Sequence, residues 1–197
     1  MQATTDAVAR DRALNSLSLL TVTVVLATVT MTFGAMIAVF VVRSQYQQFW
    51  GHIHVPAVLW FTTSVLLASS ATLELARHRL ARKDQSGFFR LTAWTTGLGV
   101  VFLAGQIVAW LEILGSGIVL AHNPHSWFIF LFTGLHGLHI ILGLAGLGYL
   151  LFRTRVSASG PRYQSKTRAV ATGVSIFWHY LDFLWLVLFF LLLFWRS

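Results

Sequence analysis

Residues 17–42 read LSLLTVTVVLATVTMTFGAMIAVFVV, a run of 26 positions with no charged side chain. As a helix this stretch would rise about 39 Å, at about 1.5 Å per residue. That exceeds the hydrocarbon thickness of a bilayer, roughly 30 Å, so the stretch reads as a membrane span. The run is longer than the apolar core of a signal peptide and ends without a small-residue cleavage site. It is therefore expected to be retained rather than cleaved.

Four more apolar runs follow, so the expected spans are 17–42, 57–76, 91–115, 126–152 and 172–195. Residues 1–16 read as a cytoplasmic N-terminal tail, and 17–197 as a single five-helix transmembrane domain. The three prolines avoid the span interiors, as continuous helices require. Pro56 opens the second span, Pro124 is expected in the loop before the fourth, and Pro161 in the linker SASGPRYQSK. The fold class is all-α: a polytopic membrane protein whose five transmembrane helices form a bundle. Composition agrees, with 56% hydrophobic and 10% charged residues, against about 25% charged in soluble domains.

The net charge of +8 does not indicate a nucleic-acid partner, because the basic residues lie between spans rather than on a soluble face. Of the 14 Lys and Arg, 12 fall in three segments: Arg10 and Arg12; Arg77, Arg79, Arg82, Lys83 and Arg90; and Arg153, Arg155, Arg162, Lys166 and Arg168. With five spans these segments share one side, leaving Arg43 and Arg196 on the other. The positive-inside rule then places the N-terminus in the cytoplasm and the C-terminus outside. The chain has no cysteine, which excludes disulfides, thiolate metal ligands and redox thiols.

An ionisable residue inside a span costs about 3 kcal/mol on insertion scales, so such residues usually face protein or water. Glu112, His136, His139, His179 and Asp182 are the candidates, and Glu74 near the end of span two is expected to reach lipid headgroups. His136 and His139 are three apart, which places them on neighbouring helix faces. With Gly134, Gly137, Gly143 and Gly146 around them they read most simply as a packing element, each histidine bonded to a neighbouring helix. Ligation of a metal or haem, with His179 as a third ligand, and a proton-relay role are the alternatives. In WHYLDFLW, Trp178, Asp182 and Trp185 share one face of span five. His179 lies three before Asp182, within pairing reach, so Asp182 reads as a structural anchor bonded to His179 or to a neighbouring helix, with proton transfer as the alternative. Gln106 and Glu112 do not share a face. His52 and His54, and His122 and His125, read as solvated loop residues. No phosphate loop, nucleophile motif or zinc-protease signature is present, so no catalytic, cofactor-binding or metal-binding residue is assigned.

Four segments in order, FTTSVLLASSATLELA from Phe61, FLAGQIVAWLEI from Phe102, FTGLHGLHIILGL from Phe132 and WHYLDFLWLVLF from Trp178, resemble subunit III of the haem–copper (cytochrome c) oxidases in its short five-helix bacterial form. The resemblance covers nearly all of the chain after about residue 20. It implies a non-catalytic subunit that docks on subunit I beside subunit II, holds phospholipid in a cleft, and supports proton uptake and enzyme stability during aerobic respiration. Haem and copper would sit in the partner subunits and none in this chain, with His136 and His139 structural and the complex in the bacterial inner membrane. Longer members carry two further N-terminal helices that form one arm of the lipid cleft; these are absent here unless another chain supplies them. They also carry a glutamate six residues before a glycine, where this chain has Thr28 before Gly34, so roles resting on that carboxylate are not carried over. Quinol oxidases and nitric-oxide-reductase accessory proteins are the rivals within the family. A haem-bearing membrane cytochrome is the rival from another class. A small transporter would show broken helices or inverted repeats, and neither is visible.

Overall fold

The computed structural model describes the backbone of residues 2–45, 57–115, 124–155 and 161–194, and the side chains of 20–43, 57–115, 127–155 and 166–193. Among the described residues there are five helices: α1 (Gln2–Gln45), α2 (Val58–Ala81), α3 (Gln85–Gly115), α4 (Pro124–Arg155) and α5 (Pro161–Phe194). All five contain a segment long and apolar enough to cross a membrane, so the all-helical, five-span expectation holds. Pro56, His52, His54 and His122 lie outside the described residues, as does the side chain of His125.

The helices outrun the apolar segments, and two expectations need correction. Pro124 and Pro161 were expected in connections; they are instead the first residues of α4 and α5. The first helical position suits proline, whose missing N–H would have no partner there anyway. Likewise, the second basic connection is three residues, Arg82–Asp84, rather than the fourteen between the expected spans, so Arg77, Arg79 and Arg90 ride on helices. Hydropathy marks where the apolar surface ends, whereas helix ends are set by caps. Lys83 adopts a left-handed φ of 62°. Its N–H donates to the Leu80 carbonyl (3.1 Å) and the Asp84 N–H to the Arg79 carbonyl (3.0 Å), the paired bonds of a Schellman ending. Asp84 then caps α3: its Oδ1 accepts from the Gly87 N–H (2.9 Å) and the Ser86 hydroxyl (3.0 Å). The α1 helix likewise runs back to Gln2, through the segment read as a tail.

Threonine and valine alternate in α1 in a pattern that also suits a strand. The helix absorbs the hydroxyls by bonding them back to its own carbonyls: Thr28 to Val24 (3.0 Å), Thr30 to Leu26 (2.7 Å) and Thr32 to Thr28 (2.9 Å). In lipid, a hydroxyl left without such a partner is costly.

Packing runs α2 to α3, α3 to α4, α4 to α5 and α5 back to α2, so these four helices close a ring. α1 lies outside it, against α5 and α4. The ring is filled from α5 by Trp178 and Trp185, both fully buried, with Phe102, Leu66, Ile140 and Phe189 around them. α1 is fastened by Val29, Phe33 and Phe40, which pack on Phe132, Leu184 and Leu188. Water drives no apolar surface together inside a bilayer, so close packing and interhelical hydrogen bonds hold the bundle. Glycine supplies the close packing at the centre. A Cβ on Gly99 would lie 2.7 Å from the Trp178 ring, and one on Gly143 2.9 Å from its other edge. These two positions form the slot for that indole.

Candidate functional site

Three indole N–H groups bridge helices to hydroxyls. Trp178 Nε1 donates to Ser69 Oγ (3.1 Å), Trp185 Nε1 to Thr63 Oγ1 (3.0 Å) and Trp110 Nε1 to Thr133 Oγ1 (3.0 Å). A buried indole seeks such a partner. The sequence spacing puts Trp178 and Trp185 on one face of span five but does not identify their acceptors. The signal available was the cluster of small hydroxyl residues, Thr62, Thr63, Ser69 and Ser70, in span two.

His136 is fully buried, and neither ring nitrogen has a hydrogen-bond partner. Its ring lies between Trp185 (centroids 5.3 Å apart) and the edge of Phe102 (6.1 Å). His139 points elsewhere, toward α1, 5.8 Å from Phe33, and its Nδ1 donates to Leu135 O one turn back (2.7 Å). The neighbouring-face reading is therefore right, but neither histidine bonds to a neighbouring helix as expected. His136 is held by aromatic packing, and His139 by a bond within its own helix. Of the surrounding glycines, Gly143 and Gly146 sit where a Cβ would crowd α5. At Gly134 and Gly137 a Cβ would make ordinary contact with Trp110 and Leu103.

The histidine that does bond across helices is His179. Its Nδ1 is hydrogen-bonded to Ser70 Oγ on α2, and its Nε2 faces Glu74 Oε2 at 3.6 Å. Of the two partners expected for Asp182, His179 or a neighbouring helix, His179 is thereby ruled out. Spacing of three along a helix allows contact, but the imidazole turns to α2, where Ser70 and Glu74 lie one turn apart. Asp182 is 4% exposed, and neither oxygen makes a hydrogen bond. The Ser70 hydroxyl on α2 lies close enough to influence the carboxyl, and it is already engaged by His179. Glu74 accepts from Arg77 Nη1 (2.9 Å) and faces both His78 and His179 at 3.6 Å.

Glu112 is exposed near the end of α3, while Gln106 is buried, with its Nε2 3.3 Å from Thr62 Oγ1 and its Oε1 unbonded. Among the described residues no three histidine, aspartate or glutamate side chains gather where a metal ion could bind. His136, His139 and His179 therefore do not come together as one ligand set. Thr28, at the position of the longer members' glutamate, is exposed and bonded to its own helix.

Two cavities adjoin these groups. One, of about 520 Å³, is almost wholly apolar and lies between α1, α4 and α5, lined by Val22, Val25, Leu142, Gly146, Val170 and Phe177 among others. The other, of about 230 Å³, lies between α2 and α5 and is lined by Glu74, Arg77, His78, Arg168 and Thr172.

The family profile described as "Cytochrome c oxidase subunit III" matches residues 51–197, which takes in α2 to α5, the whole closed ring. Among curated proteins, the chain is similar to "Probable cytochrome c oxidase subunit 3" of Nocardia farcinica, with 33% identity over 127 residues, 64% of this chain and 61% of that protein. Its counterpart in Mycobacterium tuberculosis strain H37Rv is 32% identical over the same shares. "Cytochrome c oxidase subunit 3" of Thermostichus vulcanus is 26% identical over 169 residues, 83% of this chain and 80% of that protein. The chain thus spans about three fifths of the Nocardia and Mycobacterium relatives.

Proposed function

This chain belongs to the cytochrome c oxidase subunit III family, and from that premise we propose that it is the non-catalytic subunit III of a haem–copper terminal oxidase. The observation that carries the reading is the profile match across the ring of α2 to α5. It coincides with a centre built from indoles and glycines rather than from ligand sets.

In this role the chain docks on subunit I beside subunit II, in the bacterial inner membrane, and supports proton uptake and stability during aerobic respiration. Haem and copper belong to the partner subunits. The names of these relatives favour cytochrome c over quinol as the complex's electron donor. Exposed apolar side chains on every helix, such as Met31, Trp60, Trp94, Leu142 and Phe183, supply surface for lipid and for a partner helix. The apolar cavity beside α1 suits an acyl chain, since almost nothing polar lines it. Glu112, His136, His139, His179, Asp182 and Trp185 serve architecture or subunit and lipid contact. The charge asymmetry between connections supports a cytoplasmic N-terminus and an outer C-terminus.

The test is to remove this chain from the purified oxidase with mild detergent and follow turnover. A supporting subunit predicts near-normal first turnovers and accelerated loss of activity afterwards, reversed when the chain is added back. Loss of activity from the first turnover would place part of the catalytic machinery in this chain and defeat the reading.

A further inference from the structure

Asp182 lies deep in α5, and both of its oxygens lack a partner. An ionised carboxylate left unpaired within a span costs about 3 kcal/mol or more. A carboxylic acid carries its own donor and avoids most of that cost. The neighbouring hydroxyl is Ser70, which is bonded to His179 Nδ1. On the far side of that ring, Nε2 is 3.6 Å from Glu74 Oε2, a gap that a small shift of the half-exposed Glu74 side chain closes to a direct hydrogen bond. The Glu74 side chain is 43% exposed and borders the polar cavity with Arg77, His78 and Arg168. Three protonatable or hydrogen-bonding groups therefore lie in sequence between the buried acid and the cavity, on two facing helices, and no hydrogen bond closes the step from Ser70 to Asp182 at rest.

We propose that Glu74, His179 and Ser70 form a proton-exchange line between this cavity and Asp182, and that Asp182 is a proton-holding site inside the bundle.

The step balances without any other reactant. A proton from cavity water binds the Glu74 carboxylate and passes to His179 Nε2. The Nδ1–H then gives its proton to Ser70 Oγ as the Ser70 hydroxyl releases its own to the Asp182 carboxylate. Reversal returns the proton to the cavity, and the imidazole resets by exchanging tautomers. Three helices, α1, α2 and α4, pack closest against α5. α2 contributes Glu74, Arg77 and His78. α1 has no charged side chain from residue 20 to 42. α4 brings His136 and His139, which are held by Trp185 and Phe102 and by Leu135 and Phe33 respectively. Arg168 on α5 itself lines the cavity.

The line lies within this chain and does not depend on the oxidase assignment. The experiment therefore uses the full chain alone, reconstituted in liposomes, with infrared spectra recorded in H2O and D2O. The expected result is a carboxylic-acid carbonyl band at neutral pH that Asp182→Asn removes and Glu112→Gln leaves. On transfer to D2O the band should shift quickly in the wild type. In Glu74→Gln and His179→Gln the shift should slow by about tenfold or more, a barrier increase of about 1.4 kcal/mol. Glu74 is partly exposed, so Glu74→Gln serves if His179→Gln disturbs folding. A wild type without the band, a band that survives Asp182→Asn, or an unchanged exchange rate in Glu74→Gln would overturn the proposal.

Discussion

Trp178 on α5 donates its indole N–H to Ser69 on α2 across 3.1 Å, while Gly99 and Gly143 open the slot that admits its ring. One side chain thus ties α5 to the other three helices of the ring. Ser69→Ala leaves the indole donor unpaired in a fully buried position. It should lower stability by about 0.6–2 kcal/mol, the range for interhelical bonds in membranes. Gly143→Ala should cost more, about 1–3 kcal/mol, because overpacking shifts the ring itself. Denaturation of the purified chain in mixed micelles measures both. Equal stability of Gly143→Ala and wild type would mean the slot is not tight.

His136 offers a separation of roles. His136→Phe keeps an aromatic ring against Trp185 and Phe102 and removes two buried, unbonded nitrogens. Burying unbonded polar groups is unfavourable, so the variant should match or exceed wild-type stability, and the complex should assemble with normal turnover. A properly folded His136→Phe complex with collapsed turnover would instead restore a ligand or relay role to this histidine.

The turn between α2 and α3 makes a pH prediction. The Gly87 N–H, then the Ser86 hydroxyl and the Arg79 guanidinium, hold the Asp84 carboxyl below the usual carboxylate range. A depressed value in the folded state stabilises it at any pH above the unfolded value. The contribution disappears as pH falls through the lower, folded value. Asp84→Ala should therefore melt at a lower temperature than wild type at neutral pH, and the gap should close in strong acid. Asp84→Asn, still a good cap, should fall between them. Thermal melts across an acid series check this, and a gap that widens toward acid would contradict it.

Lys83 holds a left-handed backbone, φ 62°, which costs a side-chain-bearing residue about 1–2 kcal/mol. Lys83→Gly should be neutral or stabilising to the turn, because glycine is the preferred residue at this position of a Schellman ending. Lys83→Val should be clearly destabilising. Melting temperatures of the pair decide it, and the reverse order would mean the turn does not hold this conformation.

The five spans were readable because runs of apolar residues report burial in lipid directly. Where the helices stop was not, because the Lys83 ending and the Asp84 cap are local hydrogen-bond geometry inside a charged, polar stretch. That His136 and His139 face different neighbours, on adjacent faces of α4, followed from their spacing of three. The partner of His179 did not: spacing within α5 shows which residues can meet along one helix, whereas Ser70 and Glu74 approach from another. Their own spacing of four on α2 was the available clue. The acceptors for Trp178 and Trp185 were hidden for the same reason, since hydroxyls one turn apart look alike until the helices are docked.

The central claim is that this chain supports a haem–copper oxidase without carrying its metals, and affinity purification tests it most directly. The tagged chain is drawn from membranes in mild detergent, its partners are identified by mass spectrometry, and reduced-minus-oxidised spectra are recorded for the complex and for the chain stripped of partners. The account predicts oxidase subunits I and II in the complex, haem absorbance in the complex, and a colourless isolated chain. A stoichiometric haem band that stays with the isolated chain, or a stable complex lacking subunit I, would contradict it.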